Sequence, residues 1–114
     1  MHVDIIIDTV CPWCYVGKQR FDRALSLRPH SGIDIEWRPF QLNPNMPPGG
    51  MDRETYVARK FGGSDRVRRV HSTVTEAGAQ EGIEFRFDLI RRTPNTIDSH
   101  RLIAAAGRNG LQSK

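Results

Sequence analysis

The chain has two cysteines and no more, and they stand three apart in the stretch IIIDTVCPWCYVGKQRF, residues 5–21. Their setting constrains the local fold more than any other feature. Val3–Ile7, rich in β-branched residues and bounded by Asp8 and Thr9, reads as a short buried strand. From Pro12 the pattern turns helical. Cys14, Gly17, Phe21, Ala24 and Leu25 recur at three- and four-residue steps, and Pro29 ends the run. Gly32 punctuates, and IDIEW then alternates, with Ile33, Ile35 and Trp37 on one face of a second strand. A strand–helix–strand unit of this length is expected to be parallel with a right-handed crossover. The cysteines therefore fall at the junction of the first strand and the helix.

Residues 38–50, RPFQLNPNMPPGG, hold four prolines and two glycines and read as a loop. Beyond it the pattern is helical. Asp52 is placed to cap a helix carrying Tyr56, Val57 and Phe61, and Gly62–Gly63 breaks it. Ser64 is placed to cap a longer helix through about Gln80, ended by Gly82. IEFRFDLI reads as an extended link. Asn95 is placed to cap a last helix through about Ala106, with Asp98 at the capping-box spacing and Gly107 and Gly110 following.

The expected class is α/β, with residues 1–50 forming the strand–helix–strand part and 51–114 a helical subdomain. A two-stranded parallel sheet with both edges open is a poor core. It would leave Ile33, Ile35 and Trp37 exposed and invite self-association through an open edge. The chain is accordingly expected to be the first part of a longer one.

Composition narrows the partners. A 38% hydrophobic share belongs to globular chains, and no run approaches the roughly 20 apolar residues of a membrane span. The start MHVDIII lacks the basic region of a signal peptide, so the cytoplasm is the expected location. The net charge is +4. Its densest basic stretch, RVRRVHSTV, places Arg66, Arg68 and Arg69 off a stripe of Val67, Val70, Val74 and Ala77. Those arginines should face water, and no aromatic residues interleave with them as a nucleic-acid platform would want.

Three chemistries remain open for the cysteine pair. In the redox reading, Cys11 stands at the start of the helix, where Pro12 suits the first helical position. Free N–H groups and the positive end of the helix favour thiolate over thiol. Cys14, one turn in, then acts as the resolving thiol that attacks a mixed disulfide at Cys11. A structural metal reading wants four ligands. The chain offers two cysteines, and His2, His30, His71 and His100 stand at no paired ligand spacing. In the third reading the cysteines are inert packing residues. The place of the pair in a strand–helix–strand unit favours redox work. Trp13, between the cysteines, either fills the exposed first turn or helps shape a docking surface.

With these residues in hand the chain resembles the DsbA-like thioredoxin family, and within it the FrnE-like branch. D-x-x-CPWC-Y-x-G-K is similar to the family's active-site start, and WRPFQLNPNMP-x-x-G to the segment after its second strand. KFGG, GIEFRFD and TPNTIDSHRLI resemble landmarks of its inserted helical region. The resemblance implies a partial thioredoxin-like fold with a helical insertion, acting in thiol–disulfide exchange. It implies Cys11 as nucleophile and Cys14 as resolving thiol, with Pro12 and Trp13 in the active-site loop, a redox-active Cys11–Cys14 disulfide, no bound cofactor or metal, glutathione as the candidate cofactor, and thiol or disulfide substrates. Phe40, Asn43, Asn95, Thr96 and His100 also match family positions. All but Thr96 are carried as candidate substrate contacts, and His100 is otherwise read as bonded to nearby backbone. Two other functions are weighed. One is a glutathione-dependent isomerase or transferase similar to 2-hydroxychromene-2-carboxylate isomerase, whose relatives tend to carry serine where Cys11 stands. The other is a non-catalytic interaction fragment.

Overall fold

A computed structural model describes residues 1–29 and 32–113; His30, Ser31 and Lys114 lie outside the described residues. In chain order the elements are β1 (His2–Ile7), α1 (Pro12–Leu27), β2 (Asp34–Pro39), β3 (Met51–Asp52), α2 (Arg53–Phe61), α3 (Ser64–Gln80), a 3-10 turn (Phe87–Leu89), β4 (Arg92–Thr93) and α4 (Ile97–Arg108). β1 and β2 form one parallel pair, and β3 and β4 a separate short antiparallel pair. The chain divides into two compact units, Met1–Pro44 with Thr96–Lys114, and Asn45–Asn95.

The first unit is built on a strict period of two. Val3 pairs with Ile35 and Ile5 with Trp37, so the apolar residues of both strands share one face. Val3, Ile5 and Ile7 are half-buried, while His2, Asp4 and Ile6 are exposed. The other face is charged: Arg38 bonds Asp4 and Glu36, each at 3.1 Å, and His2 Nε2 lies 2.7 Å from Asp4. α1 buries Val16 and half-buries Phe21 and Leu25, whereas Gly17 and Ala24 of the expected stripe are exposed.

α4 packs on β2, with Ile103 to Ala106 half-buried. The helix runs through Gly107 and stops at Arg108. Gly110 then takes a φ of 68°, a left-handed turn that glycine enters without a Cβ clash. The Leu111 N–H returns to the Ala106 carbonyl at 2.7 Å, and the Gly110 N–H to Gly107 at 3.2 Å. This stop sends Gln112 back to the sheet. Its side-chain oxygen accepts the Trp37 N–H at 2.9 Å and its amide donates to the Trp37 carbonyl at 3.2 Å. One side chain thus satisfies two edge groups of β2 as a neighbouring strand would.

Two expectations change as a result. Ile33, Ile35 and Trp37 are half-buried rather than exposed. The helical segment is also not continuous from residue 51 to the end. The boundaries fall after Pro44 and after Asn95, and α4 belongs with the strands, because its apolar side covers β2. The caps shift too. Thr96, not Asn95, precedes α4, without a side-chain cap bond, and Asp98 pairs with Arg101 at 3.2 Å.

In the second unit Asp52 caps α2 as expected, accepting the Thr55 N–H at 3.1 Å. α3 is preceded by Gly63 rather than Ser64, again without a side-chain cap. Val74 is buried, and Arg66, Arg68 and Arg69 are exposed, as the stripe requires. Met46, Tyr56, Val74 and Ile83 are buried, and rings and cations pack beside them. Arg53 and Lys60 lie over the Tyr56 ring at 5.4 and 5.5 Å, and His71 stacks on Phe87 at 4.3 Å between ring centres.

Burial holds the His71 imidazole below its usual value, and the nearby Arg53 guanidinium adds to the effect. An unfolded chain takes up this proton as pH falls through about 6.5, while the folded unit resists it. The stability His71 confers is therefore complete above that pH and lost as pH falls below it. His2, exposed beside Asp34 and Asp4, is shifted upward and works in the opposite sense. Protection of the α3 amides, taken as exchange relative to an unstructured peptide at the same pH, is expected to weaken between pH 7 and pH 5, and His71→Gln to flatten that response. An α3 response of equal size in both proteins would contradict the assignment.

Candidate functional site

Cys11 is the last extended residue before α1, with φ −88° and ψ 112°, and Pro12 opens the helix. The Cys11 carbonyl accepts the Cys14 N–H at 3.1 Å and the Tyr15 N–H at 3.4 Å, which begins the helical ladder. Proline loses nothing here, because a first-turn N–H has no intrahelical partner. Both cysteines are free and half-buried. They open on a cleft of about 430 Å³ whose lining includes Asp8, Thr9, Tyr15, Lys18 and Trp37. Trp13 and Tyr15 flank the pair, 44% and 49% exposed.

The loop between β1 and α1 is fastened from both ends. The Cys11 N–H donates to the Asp8 carbonyl at 3.1 Å. Asp8 as a residue is only 2% exposed. Its Oδ2 accepts the Leu42 N–H at 2.8 Å, and its Oδ1 lies 3.1 Å from Nε2 of His100 on α4. A carboxylate this deep is tolerable only when its oxygens are bonded. One position on, Thr9 Oγ1 meets Ser99 Oγ at 2.7 Å, and Ser99 donates to the Thr96 carbonyl. Asp8 and Thr9 thus tie the β1–α1 loop to α4 through two side-chain bonds.

The cysteines are not electrically equivalent. Burial pushes the Cys14 thiol up, a backbone hydrogen bond from Asp8 opposes that, and Cys11 and the Asp8 charge add to the rise. Cys14 therefore waits as a protonated thiol.

These observations assemble a cysteine pair at a helix start, a parallel strand pair beneath it and a buried acid beside it. A model of the DsbA-like thioredoxin domain matches residues 2–114. The chain belongs to the DsbA-like thioredoxin family. The crystal structure of a probable DsbA oxidoreductase from Streptomyces coelicolor superimposes with a TM-score of 0.84 and 34% identity, over 99% of this chain and 49% of that one. An uncharacterized protein of Bacillus subtilis, YwbO, is 38% identical over 48 residues, which is 42% of this chain and 22% of that protein. The chain thus spans about half of the Streptomyces structure, and less of YwbO.

Within this DsbA-like domain the expected site residues separate. Cys11, Pro12, Trp13 and Cys14 share the helix start. Phe40 and His100 line one groove, and Asn43 lies in the loop that follows Leu42. Asn95 belongs to the second unit, where its amide donates to the Met46 carbonyl at 2.8 Å. His100 is bonded to a carboxylate 92 residues away rather than to nearby backbone alone. Asp8 was absent from the residues singled out by sequence. Its signal was the aspartate of D-x-x-C, an acid set at the inner end of a half-buried strand.

Proposed function

We propose that this DsbA-like chain carries out thiol–disulfide exchange, with Cys11 as nucleophile and Cys14 as resolving thiol. The observation that carries the reading is Cys11 at the extended residue before α1, one turn from a Cys14 held as thiol. The Cys11 thiolate attacks one sulfur of a substrate disulfide, and a mixed disulfide forms as the first substrate thiolate leaves. Cys14 loses its proton, with Asp8 as the nearby acceptor, and its sulfur attacks Cys11. The second substrate thiolate leaves, two electrons have passed to the substrate, and the chain holds a Cys11–Cys14 disulfide. Two thiols such as glutathione return it to the dithiol, the first forming a mixed disulfide at Cys11 and the second displacing the protein thiol as the two leave joined as a disulfide. Trp13 and Tyr15 supply exposed aromatic surface beside the nucleophile for the incoming disulfide. A turbidity assay of insulin reduction by dithiothreitol, with and without the chain and its Cys11→Ser variant, tests the reading. Acceleration by the parent alone supports it, and equal rates from both proteins contradict it.

A further inference from the structure

We propose that His100 is a positioning residue that carries protons between the buried Asp8 carboxylate and solvent, by way of the groove at Phe40 and Arg101. The inference rests on the exchange reading above. Asp8 lines the cleft that holds both cysteines. His100 lines a different groove, of about 480 Å³, with Pro39, Phe40, Gln41, Ile97, Arg101 and Ala104. The two linings share no residue. The Asp8 Oδ1–His100 Nε2 contact of 3.1 Å joins them, between side chains 1% and 8% exposed.

Closing the disulfide frees one proton from Cys14, and opening it consumes one. Asp8 Oδ2 is held by the Leu42 N–H, a group that cannot carry a proton onward. His100 is the titratable side chain bonded to the Asp8 carboxylate among the described residues. An imidazole has two nitrogens, so a proton can arrive at one and depart from the other. The other ionisable groups around the pair are Cys11 just before α1, Cys14, Tyr15 and Lys18 on α1, with Lys18 paired to Asp22, and, in the groove, Arg101 on α4, which is paired to Asp98 at 3.2 Å.

The experiment separates the two cysteine steps. The reduced chain is mixed with the aromatic disulfide DTNB, and release of the coloured thiolate TNB is followed by stopped flow. Cys11 attacks DTNB and releases one TNB; Cys14 then gives up its proton, attacks Cys11 and releases the second. In total a dithiol and DTNB become a protein disulfide, two TNB anions and two protons. His100→Gln can still donate to Asp8 but cannot relay. It is expected to leave the first phase within about twofold and to slow the second by about tenfold or more. His100→Ala is expected to slow the second phase likewise, and free imidazole to restore it. In the wild-type chain the second phase is expected to slow in heavy water. A glutamine variant that resolves at the wild-type rate overturns the relay. So does an alanine variant that imidazole leaves slow, or a wild-type second phase indifferent to heavy water. A wild-type chain that never releases a second TNB removes the exchange reading itself, and the relay with it.

Discussion

Cys11→Ser is expected to bring disulfide reduction to the uncatalysed background, whereas Cys14→Ser is expected to keep the first step and lose the second. The asymmetry follows from position. Cys11 precedes the first turn of α1, whereas Cys14 lies one turn inside it. A serine hydroxyl there is not ionised near neutral pH and forms no disulfide. Cys14, whose thiol is pushed up chiefly by burial, is a poor first attacker. It becomes effective once a mixed disulfide stands one turn away, because the second attack is intramolecular. In the TNB experiment Cys14→Ser should release one equivalent and stop. Cys11→Ser should release little on the same timescale. Equal single release from both variants would mean that either thiol attacks first and that the roles are not set by the helix start.

The largest loss of stability is expected from a glycine far from the cysteines in sequence. Gly50 has a φ of 79°, and a Cβ added there would meet the Thr93 carbonyl oxygen at 2.6 Å. That oxygen is backbone, held next to the β3–β4 pairing of Met51 with Thr93, so it cannot swing aside. Gly50→Ala meets about 1–2 kcal/mol of left-handed backbone strain and about 1–3 kcal/mol of overpacking. At about 4–8 °C per kcal/mol for a domain of this size, the melting temperature should fall by on the order of 10 °C or more. Gly49→Ala is the control. A Cβ there meets nothing within 4 Å, and the effect should stay within about 0.5 kcal/mol. Matching melting curves for the two variants would contradict the contact between Gly50 and Thr93.

What the sequence disclosed was local. The β-branched residues of β1, the alternation of Ile33, Ile35 and Trp37, and Pro12 behind Cys11 each carry their own period or backbone restriction, and the parallel pair and the start of α1 followed from them. Asp52 likewise announced α2, because a cap acts within three residues. What stayed hidden was long-range. Asp8 and His100 are 92 positions apart, and Trp37 and Gln112 are 75 apart. Neither pair has a periodicity to report it. The destination of α4 was hidden for the same reason: an apolar stripe states that something covers it, not which strand. Asn95 shows the limit even at short range. It is a good capping residue by type, yet its amide is used by the Met46 carbonyl and the cap position passes to Thr96.

Trapping decides whether Cys11 attacks and Cys14 resolves. The Cys14→Ser chain is incubated with a disulfide substrate such as oxidised glutathione, quenched with acid, digested and mapped by mass spectrometry. A mixed disulfide on the peptide containing Cys11, with no matching adduct at Cys14 in the Cys11→Ser chain, is the predicted result. An adduct that forms as readily on Cys14 in the Cys11→Ser chain, or no adduct on Cys11 at all, would contradict it.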